Sequence, residues 1–89
     1  MWVYLNGEII PAEEAKISPL DRSFTFGDGV YEVIPSYNQE LFLFEEHLQR
    51  FKISLAKTFI PAPSEFDNLE DILKKLHVKN EYHLSLIHI

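Results

Sequence analysis

The chain has 89 residues, of which 46% are hydrophobic, 25% charged and 13% aromatic; this is the make-up of one folded domain or part of one, and it excludes disorder as the default state. A formal net charge of −6, with eight scattered Lys and Arg, argues against nucleic acid or an anionic membrane as partner. The absence of cysteine excludes disulfides, thiolate chemistry and Cys-based zinc sites.

The opening Met1-Trp2-Val3-Tyr4-Leu5 meets Asn6-Gly7-Glu8 at once, so no secretory leader is expected. No apolar run approaches the ~20 residues of a membrane helix, so a cytoplasmic location is expected. Asn6-Gly7 between two short β-type runs predicts a hairpin, because both residues tolerate positive φ. Pro11 to Pro19 reads as a polar connection, and "SPLDRSFTFGDG" as irregular chain. The run from Gly29 to Tyr37 alternates and predicts a strand: Val30, Glu32, Ile34 and Ser36 share one side, while Tyr31, Val33, Pro35 and Tyr37 share the other. Pro35 cannot donate to a ladder and belongs at an edge or bulge. A turn at Asn38-Gln39 then leads to a partner strand through Leu41 to Leu43.

From Phe44 the period becomes helical. Phe44, Leu48, Phe51 and Leu55 recur on one face through Lys57, and Glu45 and Glu46 suit the positive end of the dipole. A second helix restarts within "IPAPSEFDNLEDILKKL", with Ser64 as the expected N-cap and Asp67 three residues on. Its apolar stripe is Phe66, Leu69, Ile72, Leu73 and Leu76. Strands followed by helices predict an α+β fold, an antiparallel sheet with two helices packed on one face. "LSLIHI", residues 84–89, has no stop signal and reads as the beginning of a strand. It also resembles the translation of a common sequencing-adapter end; on that reading residues 1–83 are an incomplete N-terminal small domain and 84–89 a non-native tail.

Among side chains able to carry chemistry, Tyr31, Glu32, His47 and Arg50 stand out. His47 and Arg50 lie three apart on one helix face. Glu32 sits on a side of its strand that otherwise looks buried, and a buried carboxylate needs a partner. Arg50 carries a rigid, permanently charged fork suited to phosphate or carboxylate. From pattern alone the pair reads as a structural Glu32–Arg50 ion pair, or as an Arg50 that reaches out to water. Tyr31 reads as packing. His47, His77, His83 and His88 lack metal-ligand spacing, so no metal site is expected.

Asp21 to Phe51, "DRSFTFGDGVYEVIPSYNQELFLFEEHLQRF", resembles the N-terminal domain of the fold-type IV (class IV) pyridoxal-phosphate enzymes. The likeness runs from "VYLNGEII" and "KISPLDR" to about Tyr82, and "GVYEVIPSYN" is most similar to the D-amino-acid aminotransferase branch. What the resemblance implies is a parent homodimer that moves an amino group from a D-amino acid to a 2-oxo acid with pyridoxal 5′-phosphate. It implies that Arg50 binds the cofactor phosphate, that Tyr31 and Val33 face the substrate, and that Glu32 and His47 support Arg50. The family's Schiff-base lysine lies in a C-terminal domain. Lys16, Lys52, Lys57, Lys74, Lys75 and Lys79 match no such motif, so no catalytic residue is expected in these 89 residues and the chain alone is expected to be inactive. The alternatives are a piece of an aminodeoxychorismate lyase or branched-chain aminotransferase, or a non-catalytic phosphate-binding or dimerisation domain. Gly27 and Gly29 read as backbone hinges into the strand rather than a phosphate cradle.

Overall fold

The structure is a computed structural model that describes residues 1–38, 40–81 and the backbone of 86–88. In chain order its elements are β1 (Trp2–Leu5), β2 (Glu8–Pro11), α1 (Arg22–Thr25), β3 (Ser36–Tyr37), β4 (Glu40–Leu41), α2 (Phe44–Lys57), α3 (Leu69–Lys79) and β5 (Leu86–His88), an α+β arrangement. They fall into two compact units, Met1–Lys16 with Pro63–Ile89, and Ile17–Ala62.

In the first unit β1 and β2 form the expected hairpin, antiparallel from Leu5↔Glu8 to Trp2↔Pro11. Asn6 and Gly7 take φ of 47° and 103°, the left-handed pair that matches the twist of the strands. β5 joins the other edge of β1 in parallel. Of the tail 84–89, only the backbone of 86–88 is among the described residues. The remaining apolar face of the hairpin is covered by α3: Tyr4, Ile72 and Leu76 form the buried cluster, with Trp2 and Ile9 against it.

Leu69, Ile72 and Leu76 of the α3 stripe are buried and Phe66 and Leu73 half-buried. Ser64 is not an N-cap. The chain first makes a 3-10 turn over Ser64–Asn68, and α3 starts only at Leu69. The Ser64 hydroxyl instead donates to Glu65 Oε1 at 3.4 Å, and the Tyr4 hydroxyl donates to Glu65 Oε2 at 3.2 Å. Burial beside Glu65 pushes the Tyr4 phenol pKa up. Past the end of α3, buried Asn80 accepts from Trp2 N at 2.6 Å and donates to Trp2 O at 2.8 Å, a side chain standing in for a neighbouring strand.

In the second unit Asp21 caps the short helix α1, its Oδ1 accepting from Ser23 N at 2.8 Å and Ser23 Oγ at 2.7 Å. Arg22 packs over the Phe26 ring at 4.4 Å and donates through Nε to Asp28 Oδ2 at 2.6 Å, which closes the turn. Gly27 is left-handed, φ 70°, as a tight turn requires, and Gly29 is not; nothing lies near the missing Cβ of either.

The predicted strand over 29–37 is much shorter in the structure. Only Ser36–Tyr37 pairs, with Glu40–Leu41, and Phe42 N adds a bond to Pro35 O at 2.8 Å. Alternation marks which side of a segment is buried, but a strand also needs a partner backbone, and residues 30–34 have none among the described residues. The partner run also stops early, because Leu43 turns left-handed with φ 52° and ψ 45° and starts α2. α2 spans Phe44–Lys57 as its periodicity predicts, with Leu48 and Leu55 buried and Phe44 and Phe51 half-buried. Among the described residues no helix is long and apolar enough to cross a membrane.

A candidate anion-binding site around Arg50

The site forms within the second unit, where residues 30–34 meet the first two turns of α2. The alternation read from the sequence survives as alternating burial. Val30, Glu32 and Ile34 are half-buried, whereas Tyr31 and Val33 are 86% and 67% exposed. Glu32 thus enters the protein side, its side chain 9% exposed, and α2 supplies its partners. His47 Nδ1 lies 2.7 Å from Glu32 Oε1, and Arg50 donates through Nε to Oε2 at 3.0 Å and through Nη2 to Oε1. A carboxylate only accepts, so the His47 proton in this contact sits on Nδ1. Arg50 Nη2 and His47 Nδ1 are 3.4 Å apart, and as two donors they do not bond to each other.

These contacts set the charge state. Hydrogen bonds from Arg50 and then His47 hold the Glu32 carboxyl well below its ordinary 4.5, at about 2, against the opposing effect of burial. The same contact pushes the Arg50 guanidinium pKa up. Arg50 is gripped on one edge only. Nε and Nη2 face Glu32, Nη1 has no hydrogen-bond partner among the described residues, and the side chain is 67% exposed. The ion pair read from the pattern is present: the Arg50 stem leaves α2 and its head folds back onto Glu32.

The family described as Amino-transferase class IV matches residues 29–88, a stretch that takes in the whole Glu32–His47–Arg50 cluster. The chain belongs to the class IV aminotransferases. Among curated proteins it is similar to a D-alanine aminotransferase of Listeria monocytogenes serotype 1/2a (strain 10403S), 34% identical over 89 residues, 100% of this chain and 31% of the relative. A D-alanine aminotransferase of Staphylococcus aureus (strain MSSA476) is 37% identical over 87 residues, 98% of this chain and 31% of the relative. One of Staphylococcus haemolyticus is 39% identical over 74 residues, 83% of this chain and 26% of the relative. The chain thus spans about a third of the length of these curated class IV relatives.

Of the five site residues singled out in this class IV chain, Glu32, His47 and Arg50 touch one another. Tyr31 and Val33 flank Glu32 in sequence but point to the opposite, exposed side, and no hydrogen bond joins Tyr31 to the cluster. The contribution of Leu43, whose carbonyl accepts from His47 N at 3.0 Å, carries no signal in the sequence, since leucine rarely takes left-handed backbone.

Proposed function

We propose that Arg50 binds the phosphate of pyridoxal 5′-phosphate in an aminotransferase that acts on D-amino acids. The observation that carries this reading is the one-edged grip of Glu32, which leaves the Nη1 side of a cationic fork exposed. The donor set fits the group: a planar guanidinium with free N–H donors suits a phosphate dianion better than an ammonium does. Glu32 offsets part of the positive charge of Arg50, but it fixes the plane of the fork, so less order is lost when an anion arrives. His47 holds the carboxylate that holds the arginine. Tyr31 and Val33 line the exposed side on which the substrate is recognised. Bound pyridoxal phosphate supplies the electron sink for moving an amino group to a 2-oxo acid. The D-alanine aminotransferase relatives support the choice of a D-amino acid. A homodimeric, cytoplasmic parent enzyme completes the reading.

Calorimetric titration of the chain with pyridoxal 5′-phosphate tests it, with inorganic phosphate as competitor. Saturable binding is expected, weakened about 10- to 100-fold in Arg50→Ala, the equivalent of one charge-assisted hydrogen bond of ~1.5–3 kcal/mol. Arg50→Lys keeps the charge and recovers only part of the loss. Binding that is equal in all three proteins refutes the assignment of Arg50.

A further inference from the structure

The geometry points to Leu43 as a positioning residue, whose left-handed backbone aims the first turn of α2 so that His47 and Arg50 converge on Glu32. The inference rests on the reading of Arg50 as the anion-binding group and adds the device that aims it. Leu43 has φ 52° and ψ 45°, a conformation that costs a non-glycine residue free energy and is uncommon for leucine. Its side chain is 49% exposed and makes no helix-capping hydrogen bond, so neither burial nor capping compensates it.

What the conformation achieves is closure of a short ring. Starting at Glu32, the chain runs to Pro35, whose carbonyl accepts from Phe42 N at 2.8 Å; Leu43 follows, and its carbonyl accepts from His47 N at 3.0 Å. The ring closes where His47 Nδ1 meets Glu32 Oε1 at 2.7 Å. β3 and β4 and the edge-on stacking of Tyr37 and Phe42, centroids 5.6 Å apart, hold the far side. Within this loop Leu43 is the residue at which the chain leaves the ladder and enters the helix. An ordinary extended N-cap at that point sends α2 off in another direction and takes His47 and Arg50 away from Glu32. Strain of this kind persists where the surrounding structure over-determines it.

Two substitutions separate this role from ordinary capping. Thr and Asn are both good N-caps in the usual extended conformation, but only Asn tolerates left-handed backbone. The readout is the pH titration of the Glu32 carboxyl carbon by NMR, since Arg50 and His47 are the charged or titratable groups that hydrogen-bond to it. Leu43→Asn is expected to keep the midpoint near the wild-type value of about 2, and Leu43→Thr to move it up toward 4.5. A Thr variant that titrates like wild type overturns the proposal, as does an Asn variant whose midpoint rises. The Asn arm decides alone if the Thr protein does not fold. Loss of phosphate binding with this titration pattern intact strikes at the role of Arg50 and leaves that of Leu43 standing; the converse result does the reverse.

Discussion

At the scale of the residue, Glu32 governs the chemistry. Its parity with Val30 and Ile34 was enough to place it on the buried side, and the cost of an unpaired carboxylate was enough to demand a partner. The pattern also names Arg50 as that partner, and the structure pairs the two; which edge of the fork answers was not legible, because that depends on where α2 returns after a hairpin. The carboxyl is held at about 2 in the folded chain against an ordinary 4.5. The unfolded chain therefore binds the proton more readily, and the stability Glu32 contributes is complete above 4.5 and lost as pH falls from there through about 2. Urea unfolding at a series of pH values is expected to show this loss in the wild-type protein and a flatter dependence over the same window in Glu32→Gln. Equal slopes for the two proteins count against the clamp.

At the scale of the element, the helices were readable and the strands only in part. The stripe of α2 predicts its buried residues because a helix satisfies its own backbone and needs from its surroundings only a face to cover. Residues 30–34 show the opposite case, where side-chain alternation is right and the ladder is missing, since a strand is defined by a neighbour. Asn80 was missed for a related reason: a single polar residue after a helix looks like a turn, and its two bonds to the backbone of Trp2 arise from a fold-back of 78 positions. Removing both partners from a buried main-chain pair is expensive, so Asn80→Ala is expected to lower stability by about 1–3 kcal/mol, measured as a shift in the urea midpoint. Asp21→Ala, which takes away the cap of α1, is expected to cost about 1 kcal/mol and to leave the Asn80 clasp intact, as the Trp2 amide shift will show.

At the scale of the whole molecule, the α+β class was legible from the order of strands and helices, but the division into two units was less so. The boundary at Ala62–Pro63 falls in the proline-rich "IPAP", a visible break; the one at Lys16–Ile17 lies inside a polar connection with no mark of its own. The first unit closes on Leu76, which has 0% exposure, against Tyr4 and Ile72. Leu76→Ala opens a cavity there and is expected to cost ~2–5 kcal/mol, a large share of what a domain of this size has. The chain has one tryptophan, Trp2, which packs on that cluster, so its fluorescence reports the loss directly. Exposed large hydrophobics concentrate in the second unit, Leu20, Phe24, Phe26, Tyr31, Val33 and Phe59 among them.

The central claim is that Arg50 is clamped by Glu32 on its Nε–Nη2 edge and offers Nη1 to a phosphate. Guanidinium-resolved nitrogen NMR of the chain, titrated with inorganic phosphate, addresses each edge separately. The expected result is a saturable shift of the Arg50 Nη1 signals while Nε keeps its position against Glu32. An Arg50 whose Nη1 signals never move, or whose Nε moves first as phosphate displaces the carboxylate, contradicts it.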